Sequence, residues 1–334
     1  MKKILIIQTA SIGDVILSTA LAEKLHTYYP EAAIDFLVKK GMETLFCGHP
    51  FVKNILIWDK GSEKYRNLFR ILLKVRNNRY DAVINVQRFL SSGVIAGLSS
   101  APLRAGFDKN PLSFLFNKRI KHVIGQESSG IHETERNQKL IESFTDSVAS
   151  RPGLYPELKD FDAVRKYKSS IYVCIAPASL WNTKQFPAEK WIELIQKLPS
   201  DLMIYLLGSS SDSLLCKRIQ ADSGNTNVVD LSGGLNLLES AALIKDAMMN
   251  YVNDSAPMHI ASAMNAPVTA IFCSTVPEFG FGPLSDRSTI IQTELNLSCR
   301  PCGIHGFNTC PEKHFKCAQT IHINSLLNTA NERK

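Results

Sequence analysis

Two successive arrays of short, wholly apolar segments alternating with helix-like segments run through this 334-residue chain, and few folds accept that pattern. In the first array the apolar segments are residues 3–8, 33–38, 54–57 and 81–86. They lack the polar alternation of half-exposed strands, so they suit strands buried on both faces of a parallel sheet. Between them, residues 14–29 stop before Pro30 and read as a helix. Residues 64–78, where basic residues interleave with Leu68, Phe69, Leu72 and Val75, read as another. Residues 101–131 read as irregular, with Pro102, Gly106, Pro111 and an exposed-looking Phe114-Leu115-Phe116, and residues 132–148 resume a helical pattern. Residues 149–170 carry Arg151-Pro152-Gly153, Pro156 and a run of charges, and read as a linker. The second array places strands at 171–177, 202–208, 227–231, 251–253 and 267–273. Its helices fall at 188–198, 211–221, 237–249 and 257–264.

This predicts an α/β protein of two doubly wound, Rossmann-like domains facing across a cleft, residues 1–160 and 161–334. Ligands in such sheets sit at the carboxyl ends of the strands, so the cleft is the expected site. No Gly-x-Gly-x-x-Gly follows the first strand and no Gly-x-x-x-x-Gly-Lys-Ser/Thr occurs, which disfavours a dinucleotide-dependent dehydrogenase and a P-loop NTPase.

The opening Met1-Lys2-Lys3 and Ile4-Leu5-Ile6-Ile7 imitate a short export signal, but the apolar run stops at Gln8 and a Gly-Asp pair follows. It reads as a first strand. No apolar run approaches the roughly 18 residues of a membrane helix. A cytoplasmic location is expected, with the eight cysteines mostly reduced. Residues 1–150 hold 21 Lys and Arg against 14 Asp and Glu, whereas residues 151–334 hold 17 of each, so the whole net charge of +7 lies in the first half. That asymmetry suits an anionic partner (nucleic acid, a phosphorylated glycolipid or an anionic membrane surface) unless the lysines merely solvate the surface. Nothing resembles a helix-turn-helix, an RNA-binding sheet motif or an aromatic-basic stripe, so nucleic acid is not expected.

Three segments carry candidate chemistry. In Thr9-Ala10-Ser11-Ile12-Gly13-Asp14, Gly13 permits a tight turn and close approach of a ligand. Asp14 starts a helix, where the macrodipole favours its charge, and it is either a plain helix cap or a carboxylate poised to accept a proton. In the loop from Ala176 to Pro187, Ser179, Thr183 and Lys184 suit phosphate oxygens, and Trp181 and Phe186-Pro187 would anchor the loop. In Asn253-Asp254-Ser255-Ala256-Pro257-Met258-His259 a strand ends and a helix starts with proline near its first turn. Asp254 or Ser255 caps that helix, or the free amides there hold a diphosphate; His259 packs inside or faces the ligand.

In order and spacing these segments resemble glycosyltransferase family 9, the bacterial ADP-heptose:lipopolysaccharide heptosyltransferases. The resemblance runs nearly end to end. It takes in the Ser11-Ile12-Gly13-Asp14 turn, Thr183-Lys184-Gln185-Phe186-Pro187, and Leu231-Ser232-Gly233 before Leu237. It continues through Asp254-Ser255-Ala256-Pro257-Met258-His259-Ile260-Ala261 and Pro277 to Gly282-Pro283. His132-Glu133-Thr134-Glu135-Arg136 is similar to the family's acceptor-side helix start. Ala256 stands where many relatives have glycine, and Asp212 where they often have glutamate.

The resemblance implies a GT-B architecture and an inverting transfer without a catalytic metal or cofactor. Asp14 would be the general base, with Gly13, His132 and Arg136 on the acceptor side. Lys184, Ser179 and the amides around Ser255 and Ala256 would stabilise the leaving diphosphate. Asp212, Leu235, Asp254 and His259 would meet the donor, ADP-heptose. The acceptor would be an anionic glycolipid, the lipopolysaccharide inner core, at the inner face of the inner membrane. Arg66, Arg70, Lys74, Arg76 and Arg79 would face that membrane, and Arg104, Lys118, Arg119 and Lys121 the acceptor.

Cys299, Cys302, Cys310 and Cys317 have the spacing of a tetrahedral zinc site, with His305 and His314 as spare ligands. Four thiols near a chain end are more commonly plain reduced cysteines, and no metal is assigned; similar cysteine-rich tails occur in the family. Other readings compete: transfer of another sugar to a surface glycan, a nucleotide-sugar epimerase, or a non-catalytic nucleotide-sugar-binding protein. The basic first half and the Asp14 turn argue against the epimerase.

Overall fold

The structure, a computed structural model, describes residues 1–61, 63–124 and 130–331. The chain divides into two units, Met1–Tyr155 and Pro156–Lys334.

The first unit is built on a six-stranded parallel sheet in the order β3-β2-β1-β4-β5-β6. Its strands are β1 (Lys3–Ile7), β2 (Ala33–Lys39), β3 (Val52–Trp58), β4 (Ala82–Asn85), β5 (Leu103–Phe107) and β6 (Lys118–Ile120). Ile4 to Ile7 are all fully buried, because β1 lies between β2 and β4 and is covered on both faces. Helix α1 (Ile12–Tyr28) begins in a capping box: Ser11 is the cap and Asp14 the third helical residue. Gly13 lies inside that helix, buried and with no left-handed conformation, so the turn does not require glycine's freedom. Helix α2 (Lys64–Asn78) buries Ile71, Leu72 and Val75 in a core with Leu5, Ile7, Leu56 and Trp58. Helix α3 (Leu90–Gly97) packs beside it.

Residues 101–131, expected to be irregular, contain β5 and β6. The apparent breaker Gly106 is a packing residue: a Cβ there would lie 2.4 Å from the Phe116 ring, which is buried. Phe114 is exposed, as expected. The helix expected over 132–148 ends early, as α4 (Glu133–Gln138) followed by a single 3₁₀ turn. Side chains there bind backbone instead of continuing the helix: Gln138 Nε2 donates to Asp146 O at 2.5 Å and Thr145 Oγ1 to Ile141 O at 2.9 Å.

The second unit repeats the plan, in the order β12-β11-β10-β7-β8-β9. Its strands are β7 (Tyr172–Ala176), β8 (Met203–Leu206), β9 (Val228–Asp230), β10 (Met249–Asn253), β11 (Val268–Phe272) and β12 (Ser288–Gln292). The segment read as linker holds α5 (Leu158–Val164), which packs on α8 (Leu237–Lys245). That helix stops at Lys245, not 249, because Met249 opens β10. Helices α6 (Ala188–Lys197), α7 (Ser213–Ser223) and α9 (Ala256–Ala263) complete the alternation, with a short α10 (Lys316–Gln319). Strand β12 went unread because it is polar and half-exposed at the sheet edge. Helix α11 (Ile323–Asn331) went unread too. It sends Ile323 and Leu326 into the core around Trp191, Phe186 and Tyr251.

Candidate active site

In the first unit the site grows from the loops after β1, β3 and β4, the carboxyl ends of the sheet. Asp14 is half-buried at the start of α1. Its Oδ2 accepts from Ser11 N at 3.1 Å and Ser11 Oγ at 2.6 Å. Oδ1 has no partner among the described residues, so one carboxylate atom is committed to the helix and the other is open to accept a proton. Behind this loop, Lys60 Nζ donates to Thr9 O at 2.8 Å and Thr9 Oγ1 at 2.9 Å and lies 4.7 Å from the Trp58 ring centroid. The Thr9 hydroxyl and the Gln87 amide are 2.6 Å apart. Burial lowers the Lys60 ammonium to about 8, and Lys39 and Lys64 add to the fall.

Helix α4, expected on the acceptor side, is capped by His132, whose N–H donates to Glu135 Oε2 at 2.7 Å. Arg136 is buried and holds Glu133 through Nε and Nη2, both 2.8 Å from Oε2, while Nη1 donates to Ile131 O at 2.5 Å. Burial pushes the Glu133 carboxyl above its ordinary range; Arg136 opposes this and the Asp14 charge adds to it. A cavity of about 230 Å³ lies against Lys121, Val123, Ile131, Arg136 and Lys139. Burial lowers the neighbouring His122 to about 4, helped by Arg88 and Arg136. Arg104, expected on the acceptor side, is instead engaged by Leu115 O at 3.0 Å and Ala101 O at 2.5 Å.

In the second unit the loops after β7, β10 and β11 meet. Lys184 and Asp254 form an ion pair, Nζ to Oδ2 2.6 Å, with both side chains largely buried. The Thr275 hydroxyl donates to the same Oδ2 at 2.6 Å. Buried Asn253 ties the loops together: its Oδ1 accepts from Phe186 N at 2.9 Å and its Nδ2 donates to Pro177 O at 2.8 Å. Ser255 is the cap residue of α9, but its side chain makes no capping bond; Ala256 opens the helix and His259 is buried within it. The first amides of α9 thus stand beside the Lys184–Asp254 pair. Ser179 lies earlier in the same loop, its carbonyl accepting from Gln185 Nε2 at 2.7 Å.

Asp212 and Leu235 belong to other turns. Asp212 Oδ2 accepts from Ser209 N and Oγ, each at 2.7 Å, in a capping box. This turn packs against Gly233 (φ +71°), where a Cβ would lie 2.9 Å from Ser210 Cα. Leu235 precedes the α8 cap Asn236 and is half-buried. No contact joins either residue to Lys184 among the described bonds. A wider cavity, about 620 Å³, lies at the amino end of β7 beside the Lys168–Asp246 pair and reaches none of the expected site residues.

The cysteine-rich segment docks on the lysine loop. Thr183 N donates to Phe307 O at 3.0 Å, and Phe307 N donates to Thr183 Oγ1 at 2.8 Å. Ser274 Oγ adds a bond to Thr183 Oγ1 at 3.0 Å. Gly306 (φ +78°) makes this approach feasible. Cys299 Sγ is 3.9 Å from His314 Nε2. Burial pushes the Cys317 thiol up to about 11, and the neighbouring Cys302, Cys310 and Cys299 add to it. Among the described residues no group of three or more His, Cys, Asp or Glu side chains is assembled to hold a metal ion.

Lys60 and Thr275 were not singled out from the sequence, and Glu133, Asn253 and Gly306 stood out there only as members of longer segments, without these partners. Lys60 alone left a signal there: a lysine just past an apolar strand stands at a carboxyl end.

The glycosyltransferase family 9 (heptosyltransferase) pattern matches residues 68–309. Lipopolysaccharide heptosyltransferase 3 of Escherichia coli K12 is 27% identical over 287 residues, 79% of this chain and 80% of that protein. A crystal structure of a family 9 glycosyl transferase from Veillonella parvula superposes with a TM-score of 0.83 at 18% identity, over 99% of this chain and 96% of that one. E. coli heptosyltransferase WaaC with ADP-2-deoxy-2-fluoro heptose gives 0.73 at 18% identity, over 99% and 100%. These likenesses span both units, as the expected GT-B class requires. By its sequence match over most of its length, this chain belongs to glycosyltransferase family 9, the heptosyltransferases.

Proposed function

We propose that this chain transfers heptose from ADP-heptose to the inner core of lipopolysaccharide, with inversion and without a catalytic metal. The carrying observation is the Lys184–Asp254 pair, 2.6 Å long, beside the open start of α9. An ammonium and helix amides are what a diphosphate leaving group needs to bear its developing charge. The second unit is then the donor domain, with Ser179, Ser255 and Ala256 at the diphosphate and Asp212, Leu235 and His259 toward the nucleoside and sugar. Asp254 holds Lys184 in place until the more highly charged diphosphate competes for it.

The first unit is the acceptor domain. The acceptor oxygen bonds to the anomeric carbon as that carbon's bond to the diphosphate oxygen breaks. The hydroxyl proton passes to Asp14 Oδ1, and ADP departs. Gly13, His132 and Arg136 border the acceptor, and the basic character of this half suits a phosphorylated glycolipid at the cytoplasmic face of the inner membrane. A solved relative carrying an ADP-heptose analogue supports the donor, and relatives named lipopolysaccharide heptosyltransferases support the acceptor.

The test is turnover of a panel of nucleotide sugars on a lipid A core acceptor by wild type and Asp14→Ala. Transfer from ADP-heptose that drops by about 10²–10⁴ in the variant, with donor binding retained, is expected. Wild type that binds ADP-sugars but transfers none to this acceptor sinks the acceptor assignment. Wild type that binds no nucleotide sugar sinks the transferase reading.

A further inference from the structure

Helix α2 buries only one side. Ile71, Leu72 and Val75 enter the core, yet Tyr65, Phe69 and Leu73 stand out in solvent, 80%, 60% and 44% exposed. Their spacing of four residues stacks them in one column along the helix. Arg66, Arg70 and Lys74, one residue on from each, form a parallel column and are also exposed. With Lys64 and Arg76 the helix carries five cations and no acidic residue. Three large apolar side chains in register on a surface helix are not scattered surface hydrophobics, and the cations beside them exclude an ordinary protein core as their cover. At the start of the neighbouring α3, Phe89 and Leu90 are likewise 62% and 56% exposed beside exposed Arg88.

We infer that α2 is an interfacial helix that docks the first unit on an anionic lipid surface. Tyr65, Phe69 and Leu73 enter the boundary between headgroups and acyl chains, and Arg66, Arg70 and Lys74 lie among the headgroup phosphates. An amphipathic helix with a cationic face binds membranes through buried apolar area and attraction to anionic lipid together. No helix among the described residues is long and apolar enough to cross a membrane, so the contact is in the plane of the surface. This rests on the proposed function in one respect: a lipid-borne acceptor gives the docking its purpose.

The experiment uses the full chain with vesicles of phosphatidylcholine containing about a third phosphatidylglycerol, and with phosphatidylcholine alone. Phe69→Trp reports insertion, read as the difference from wild-type emission. The added emission should shift to the blue and be quenched by brominated lipid on anionic vesicles, and not on neutral ones. Tyr65→Ser/Phe69→Ser/Leu73→Ser, at exposed positions, should keep the wild-type melting temperature and lose at least ten-fold in vesicle affinity. On a deacylated, water-soluble acceptor that variant should turn over like wild type, and on acceptor embedded in vesicles it should lose at least ten-fold. Unshifted emission from the Phe69→Trp variant while it sediments with vesicles would place the docking face elsewhere and overturn the inference. A concentration-dependent dimer that the triple substitution abolishes would overturn it as well. If wild type turns over neither acceptor, the proposed function fails, while the fluorescence and sedimentation results still decide the docking.

Discussion

Gly306→Ala and Gly303→Ala form a matched pair that isolates how the cysteine-rich segment holds the lysine loop. Both glycines are left-handed, φ +78° and +66°, so alanine costs about 1–2 kcal/mol of backbone strain at either. Their surroundings differ. A Cβ on Gly303 meets only the Phe307 ring, at 4.0 Å, an ordinary contact. A Cβ on Gly306 lies 2.8 Å from Thr183 Oγ1, 3.1 Å from Ser274 Oγ and 3.3 Å from Lys184 Cγ. Thr183 is buried, and its hydroxyl is already fixed by Phe307 N and Ser274 Oγ, so it cannot retreat without losing both bonds. At about 1 kcal/mol each, these raise the Gly306→Ala cost to about 3–4 kcal/mol. The docked state should therefore weaken by a factor of roughly 10² or more, against about ten-fold for Gly303→Ala. Amide hydrogen exchange at Phe307 and Thr183, whose N–H groups close the contact, reads this opening directly. Donor affinity should fall in parallel, because Lys184 is displaced in one variant and not in the other. Equal exchange rates in the two variants would refute the reasoning, since strain alone would then account for both.

Lys184→Met should destabilise the second unit by about 2–3 kcal/mol, somewhat below the usual cost of orphaning a buried charge because the lysine is partly exposed. Lys184→Met/Asp254→Asn should recover most of that in urea unfolding while transfer stays lost. The Lys60 amine should titrate near pH 8, visible by NMR after isotopic reductive methylation, and Thr9→Val should shift that titration. His49 and His122 are both held near 4 by burial. The unfolded chain binds their protons below about pH 6.5 and the folded unit does not. Stability is therefore full above about 6.5 and falls as pH drops toward 4, by up to about 1.4 kcal/mol per pH unit per histidine. Urea midpoints measured at pH 7 and pH 5 check the sign, and His122→Asn should flatten the slope.

Much of the fold is legible in the sequence because the central strands, such as Lys3–Ile7 and Val268–Phe272, are buried on both faces and read as unbroken apolar runs. Strands carrying Arg104, Gly106 or Lys118 break that signal, although Gly106 only makes room for Phe116. The loops after the first strand of each array are legible for a local reason: their small, hydroxyl and charged residues fall between a strand and a helix. The partners are not legible. Lys60 meets Thr9 across 51 residues, Asp254 meets Thr275 across 21, and Thr183 meets Ser274 across 91. No spacing rule announces such meetings, because tertiary packing alone brings them about. Asp14 shows the limit in a single residue. Its place at a helix start is local, whereas its effect on the Glu133 carboxyl depends on how α4 packs against α1.

Each sheet, followed outward from its first strand, has the second and third strands on one side and the fourth, fifth and sixth on the other. The chain is thus one layout written twice, and in both copies the segment after the first strand bears a charged side chain that the proposed transfer would use: Asp14 at the start of α1 in one, Lys184 in the other. Such a protein is modular in inheritance. Exchange between relatives at the Tyr155–Pro156 boundary replaces one complete sheet and its loops without redrawing the other. Under the proposed roles of the two units, what the chain accepts and what it donates can then diverge on separate evolutionary clocks.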